Sequence, residues 1–430
     1  MKKYRYLIVV LFLGLNVRSF AQLYMNPHSV AFANAYSTQA RGANVIGWNP
    51  ANLGLNDNPK FSMSFGAFPF VPIPAFQISN NSISPYWLDN KFFTGKYLTD
   101  KDKEDLLGYF PNEGLMLNPL LQMQILGISV GRWAVTIGTE FTGNLVLPKS
   151  LFHFAFYGNE FGKAVDLSDL DLEAQSVATI AVAHGRELGI PYLSDYCSQV
   201  TAGIAIKTLV GIGYAEFEQV NAQITTFEDK FVLEGNAVAK YGKGGFGMAL
   251  DMGLSAVINE KMMANISLNN LLGSINWGII EAEKVEYSYF TEIYSDEFDI
   301  ADSLFEKGVK KDTSYSINEL KSNYPGYLLL GFQYNIFENL NVFTTVKQHF
   351  NQDFASTYLP KISFAADFRP LKWLPIRAGI AFGGIEEFQW GIGTGLSFNH
   401  YSLDWGFSQI GGMFNNAKGF AFSLGQQITF

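Results

Sequence analysis

The sequence predicts an all-β fold, a transmembrane antiparallel β-barrel of about 14 strands, and three observations carry that prediction. Apolar residues alternate with small or polar ones over segments of about ten residues, the length and period of a tilted membrane-spanning strand. The connections between these segments alternate in length, short after even-numbered strands and long after odd-numbered ones, as strands running up and down a barrel require. The last segment, Gly419 to Phe430, alternates to the final residue. It puts Phe420, Phe422, Leu424, Ile428 and Phe430 on one face and Ala421, Ser423, Gly425, Gln427 and Thr429 on the other.

Taken from the start, Lys2, Lys3 and Arg5 precede an apolar stretch from Leu7 to Leu15, and Ser19-Phe20-Ala21 supplies a small-x-small cleavage site. Residues 1–21 therefore read as a secretory signal peptide, with Gln22 opening the mature chain. The apolar stretch is shorter than the ~20 residues of a membrane helix. Hydrophobic residues make up 48% of the chain and aromatic ones 15%, yet after residue 22 no apolar run reaches the ~18 residues of a helical span. Cys197 is the only cysteine, so backbone ladders and packing must hold the fold without an internal disulfide. A net charge of -9 with no basic stripe argues against nucleic acid as a partner.

Strands are predicted near 61–68, 122–131, 133–143, 175–185, 200–209, 246–258 and 262–270, then 326–336, 340–349, 360–368, 375–384, 388–398, 401–408 and 419–430. Short links at Gly131-Arg132, Asn259 to Lys261, Phe337 to Asn339, Arg369 to Trp373 and Asn399-His400 are expected to be periplasmic turns. Residues 69–121, 144–174, 210–245 and 271–325 are expected to be long outside loops of a barrel covering 57–430. Two links break the pattern: 186–199 is long for a periplasmic turn and Gly384 to Glu387 is short for an outside loop. Within the loops, Thr99 to Phe110 reads as a short amphipathic helix and Ala215 to Lys240 as a hairpin extending the sheet beyond the membrane. Tyr287 to Asn323, acidic at Asp296, Glu297, Asp299 and Asp302 and basic at Lys307, Lys310 and Lys311, reads as a solvated loop.

Alternation then assigns the two faces. Trp133, Val135, Ile137, Ile204, Ile206, Phe246, Met248, Leu250, Leu328, Leu330, Phe332, Ile376, Ile380, Phe382, Trp390, Ile392, Leu403 and Trp405 are placed toward lipid. Trp133, Trp390, Trp405 and Phe430 are read as girdle residues near strand ends. The inner face receives Glu140, Lys207, Asp251, Lys347, Asp367, Arg377 and Asp404, because a basic residue facing lipid at the midplane would cost ~2–4 kcal/mol. Their mixed sign suits ion pairs across a lumen or a polar lining better than a strongly selective ion channel. Gly391, Gly393 and Gly395 share the inner face of one strand, so something bulky approaches that wall or the strand bends there. A plug made of the mature N-terminus is the candidate.

The segment Ala40 to Gly54 contains Asn49-Pro50-Ala51, where Asn49 is a good helix N-cap and Pro50 fits the first helical position. It resembles the Asn-Pro-Ala element of FadL/TodX-type barrels and of the PorV-type proteins of Bacteroidota. Gly244 to Gly253 followed by Asn265 to Gly273 is similar to the Gly-x-x-x-Asp-x-Gly strand and Asn-Leu-Gly turn of those families, and Pro325 to Gly331 and Ile376 to Gly379 to their later strands. The terminal Phe430 resembles the assembly signal read by the barrel assembly machinery of bacterial outer membranes. The resemblance implies an outer-membrane barrel of a Gram-negative bacterium, surrounded by outer-membrane lipid, with residues 22–56 folded into the lumen as a hatch. FadL-type membership implies passive transport of a hydrophobic small molecule. PorV-type membership implies a non-transporting platform for secretion-system proteins or surface attachment.

Catalytic patterns lack their required context, and neither a catalytic set nor a cofactor site is expected. Gly127-Ile128-Ser129-Val130-Gly131 matches the nucleophile-elbow spacing but runs into another strand instead of a helix. Gly242 to Gly247 matches GxGxxG but opens a strand. His28, His153, His184, His349 and His400 show no metal-ligand spacing, and Asp166, Asp169 and Asp171 lack the glycine and terminal glutamate of an EF-hand loop.

Overall fold

Strands patterned at period two on both edges must each find two neighbours, and those of this chain do so in a ring. The computed structural model describes residues 25–66, 74–90, 97–193, 195–294, 309–351, 354 and 356–430. The signal-peptide stretch, Gln22 to Tyr24, and the loop charges Asp296, Glu297, Asp299, Asp302 and Lys307 lie outside the described residues. The strands are β1 (Phe61–Gly66), β2 (Ala75–Asn80), β3 (Leu115–Val130), β4 (Trp133–Leu147), β5 (Ala164–Asp166), β6 (Asp171–Glu187), β7 (Gln199–Thr226), β8 (Lys230–Asn259) and β9 (Met262–Tyr294). They continue as β10 (Val309–Ser316), β11 (Leu320–Asn323), β12 (Tyr327–Phe337), β13 (Leu340–His349), β14 (Lys361–Leu371), β15 (Leu374–Gly383), β16 (Phe388–Phe398), β17 (Tyr401–Ile410) and β18 (Gly419–Thr429).

All pairings between these strands are antiparallel, and the ring closes where β18 pairs with β1 and β2. β1 and β2 occupy one place in the wall, between β18 and β3, so the barrel has 14 wall strands. Closure leaves no sheet edge inside a membrane, where an unpaired backbone group costs several kcal/mol. The two residues at the seam bind each other twice: the Phe430 amide donates to Phe61 O at 2.9 Å and the Phe61 amide to Phe430 O at 3.0 Å. The Phe430 ring is exposed and stacks on His400 at a centroid distance of 4.5 Å.

The outward residues are apolar and exposed, as at Trp133, Ile206, Met248, Leu330, Ile376 and Ile392. Trp133 stands at the start of its strand, but Trp405 does not mark an end: it sits midway along β17, opposite Thr394 and Leu424. The alternation was right about its face and the girdle assignment wrong about its height.

Two of the expected outside loops are largely sheet, and a third returns a strand to the wall. Residues 69–121 contain β2, which rejoins the wall: Gly66 pairs with Gly425 and Phe76 with Phe422, and β18 places only Ser423 and Leu424 between those partners. Pro69, Pro72 and Pro74 have no N–H to give to a ladder, which is why the first strand reads as ending early. Residues 210–245 form the continuation of β7 and β8, joined at 227–229, and the expected hairpin at Ala215 to Lys240 is part of it. Tyr287 to Tyr294 belongs to β9, not to a solvated loop, and β10 and β11 pair back onto the same strand. β8 has 30 residues against the about 9–11 that cross a bilayer, so roughly two-thirds of its length projects beyond the wall. A short helix at Asp100–Tyr109 is capped by Thr99, with Asp102 completing a capping box.

Candidate functional site

The lumen is filled by the chain's own N-terminal segment. Residues 25–56 contribute a helix at Pro27–Ala31 and two 3-10 turns at Gly42–Val45 and Pro50–Gly54, and Phe32, Tyr36, Ile46, Trp48 and Leu53 are buried. These side chains pack against small or apolar inner-wall residues, among them Ala134, Ala183, Ala205, Leu329 and Phe343. Tyr36 meets Trp48 edge-on at 5.2 Å, within the range of a favourable aromatic pair.

Wall glycines admit the hatch backbone. A Cβ on Gly391 would lie 2.4 Å from Val30 O, one on Gly393 2.6 Å from the Ala31 Cβ, and one on Gly379 2.3 Å from the Phe32 carbonyl carbon. Gly203 does the same on the opposite side, where a Cβ would be 2.3 Å from the Ala51 amide nitrogen. The third member of the expected run differs: Gly395 leaves room for the Asp404 carboxylate, 2.2 Å from where its Cβ would stand.

Asn49, Pro50 and Ala51 form the anchor of this plug. Asn49 has extended backbone and its Oδ1 accepts from the Ala51 amide at 2.9 Å, capping the turn that Pro50 begins. Its Nδ2 donates to Ser255 Oγ at 3.1 Å and Leu254 O at 3.2 Å on β8, so one amide both starts the turn and ties it to the wall. Ser255 Oγ in turn donates to Asn52 Oδ1 at 2.7 Å, and Tyr327 donates to Gly47 O at 2.8 Å.

The inner-wall charges are all buried, and they group by neighbouring strands. Lys207 and Asp251 pair at 2.8 Å, and Asp251 also accepts from the amides of Asn270 (2.9 Å) and hatch residue Gly47 (3.3 Å). Arg377 binds Asp404 at 2.7 Å and lies 3.9 Å from Asp367, while His28 of the hatch reaches Asp404 at 3.5 Å. Glu140 accepts from Gln122 at 3.5 Å, and Gln122 Oε1 takes the amide of Met25, the first described residue of the hatch. Lys347 stands apart from these groups, with the Tyr327 ring beneath its ammonium at 5.0 Å. Opposite it stands Lys361, which binds Glu386 at 3.2 Å and donates to Gln389 at 2.6 Å, three residues that the sequence reading does not single out. Stepping back by twos from Asp367 through Ala365 and Ser363 reaches Lys361, so that residue was within reach of the pattern.

A cavity of about 50 Å³ remains between hatch and wall, lined by Met25, Asn26, His28, Phe65, Gln122 and Leu424 among others. Ligand pockets run to about 300–1,000 Å³, so this cavity is too small to hold a ligand as it stands. Among the described residues no cluster of three or more His, Cys, Asp and Glu could hold a metal ion, and no helix is long and apolar enough to cross a membrane. Asp166 instead accepts from the Ser168 amide at 2.9 Å. Gly127 to Gly131 and Gly242 to Gly247 lie in strand and hairpin, without a helix to follow.

A family of unknown function (DUF5723) matches residues 58–241 and 233–403. No curated protein matches the chain. Among solved structures, the fold is similar to that of the Ralstonia pickettii toluene transporter TbuX, with a TM-score of 0.53 at 12% identity over 94% of this chain and 98% of that one. It is also similar to the CymD monoaromatic hydrocarbon channel, with a TM-score of 0.50 at 12% identity over 96% of this chain and 99% of that one. At this identity the likeness is one of fold: an antiparallel barrel of 14 wall strands with helices in its N-terminal segment.

Proposed function

The chain belongs to the DUF5723 family, and we propose that this member is an outer-membrane barrel that passes a hydrophobic small molecule through a lumen closed at rest by residues 22–56. The observation that carries the reading is the hatch itself. Its backbone sits on wall glycines and its polar contacts are spread over β8, β12 and β17, so it is held by many separable interactions that a ligand could exchange. The barrel of TbuX, a toluene transporter, has the same fold, which supports an apolar ligand without naming it. Lipid surrounds the wall, and the barrel assembly machinery inserts the chain by its C-terminal strand ending in Phe430. No reacting group is assigned to the lumen, and the protein acts by binding and release.

A second reading is favoured by the projecting part of β7, β8 and β9. Lys240 bridges Glu216 and Glu218 at 3.1 Å each and Lys284 binds Glu218 at 2.7 Å, building a stiff charged sheet beyond the wall that a secretion or surface partner could use. One preparation separates the two: the protein is taken from its own membranes in mild detergent, and bound small molecules and bound proteins are both identified by mass spectrometry. An apolar molecule retained in stoichiometric amount supports transport. A stoichiometric protein partner with no retained apolar molecule refutes it in favour of the platform.

A further inference from the structure

Beyond the wall β7, β8 and β9 continue as a sheet, with β5 paired to β7 on one side and β10 to β9 on the other. Counting the extra residues Ile212 and Glu218 at the two bulges of β7, the face that carries Tyr214, Asn221 and Gln223 is continuous with the inner wall at Lys207 and Leu209. A cavity of about 670 Å³ opens on this face, within the about 300–1,000 Å³ of small-molecule sites. Register sets its polar side chains in two cross-strand rows. Asn221 stands opposite Asn236 and Asn236 opposite Ser288, while in the next row Asp166, Gln223, Glu234 and Phe290 follow one another across four strands. Gln223 donates to Glu234 Oε1 at 2.6 Å, and Asp166 accepts from the Ser168 amide, so both carboxylates are held in place. The side chains of Asn221, Asn236 and Ser288 have no hydrogen-bond partner among the described residues, and Phe290 at the margin is 42% exposed.

We propose that this cavity binds a neutral saccharide. A sugar hydroxyl donates and accepts at once, and each amide of Asn221 and Asn236 offers one oxygen and two N–H groups to match it. The carboxylates of Asp166 and Glu234 add acceptors for further hydroxyls, already oriented by Ser168 and Gln223. Neighbouring strands are about 4.8 Å apart, so successive side chains of a row are spaced like groups across one pyranose ring. The Phe290 ring presents its negative face to the C–H side of such a ring. No Lys or Arg is among the described residues lining the cavity, while two carboxylates are, which disfavours an anionic ligand. An extended peptide fits less well: it adds to a free sheet edge, and β8 is paired on both sides along this cavity. The site lies on the projection, so it stands whether or not the lumen passes an apolar molecule.

The test applies the full mature chain in nanodiscs, with empty nanodiscs as the blank, to immobilised neutral oligosaccharides, acidic oligosaccharides and polysaccharide purified from the surface of the producing cells. At least one neutral saccharide should be retained. Asn221→Ala combined with Asn236→Ala should weaken its binding about ten-fold or more, while Glu286→Gln, on the same sheet outside the cavity, leaves it unchanged. Glu234→Gln, which keeps an amide partner for Gln223, should weaken binding by a smaller factor and serves as the second variant if the double one loses its thermal midpoint. Retention of short neutral oligosaccharides supports the site and identifies a free sugar as a sufficient ligand. Retention of the surface polysaccharide without the short ones, weakened in the same variants, supports it with a cell-surface glycan as the source. Retention of acidic saccharides only, retention of none, or binding that the variants leave unchanged overturns the proposal.

Discussion

Replacing Gly379 and Gly391 together with alanine tests whether the hatch rests on the wall. The two residues are cross-strand partners in β15 and β16, and both face the Pro27–Ala31 helix. An added Cβ at Gly379 would stand 2.3 Å from the Phe32 carbonyl carbon, against 3.4 Å or more for ordinary contact, so the hatch must withdraw by over 1 Å. Overpacking of that kind costs about 1–3 kcal/mol, whereas alanine for glycine inside an unobstructed strand gains roughly 0.5–1 kcal/mol. The two mutations push on one helix, so their effects will not simply add. The assay reads hatch opening through a thiol at a buried hatch position, Ser37→Cys in a Cys197→Ser background, labelled by a maleimide. Shifting the opening equilibrium by 1–3 kcal/mol should raise the labelling rate roughly 5- to 150-fold. Unchanged labelling together with a raised melting temperature, the signature of a plain strand improvement, would refute the seat.

Other expectations follow from the same contacts. Arg377→Met removes the guanidinium bound to buried Asp404 at 2.7 Å, leaving that carboxylate only His28 while Asp367 keeps Arg369, and should lower stability by about 3–5 kcal/mol, read as a fall in thermal midpoint. Asn49→Ala removes the turn cap and two bonds to β8, and should cost about 1–3 kcal/mol while raising hatch labelling in the thiol assay. In the projecting sheet, Lys284 and Lys240 hold the Glu218 carboxyl below its ordinary value of 4.5. Its contribution is therefore present above that value and lost as pH falls through the lowered one, so hydrogen exchange in the β7–β8 projection should quicken below about pH 4 while the barrel amides stay protected.

Much of the wall was legible because period two is a strict requirement of a strand with lipid on one side. All inward charges, from Glu140 to Asp404, are buried, since a one-residue slip would have turned them to lipid. The glycine run at Gly391 and Gly393 announced the hatch for a related reason: only a missing side chain lets another backbone approach. What was not legible depends on contacts between distant residues. Pairing of Lys361 with Lys347, or of Asp251 with the Gly47 amide, is decided by register and plug position that no local pattern carries. The projecting parts of β7 to β9 mix charge with apolar residues because water bathes much of them, so the alternation that marks a membrane strand fades where the strand continues.

Conductance of the barrel with and without residues 22–56 tests the central claim most directly. In planar bilayers the full mature chain should be closed or pass only small currents, since buried hatch side chains such as Phe32, Tyr36 and Trp48 pack against the inner wall, and removal of the segment should open a steady, large conductance. A truncated barrel that inserts, keeps its thermal midpoint and conducts no more than the full chain would contradict the account.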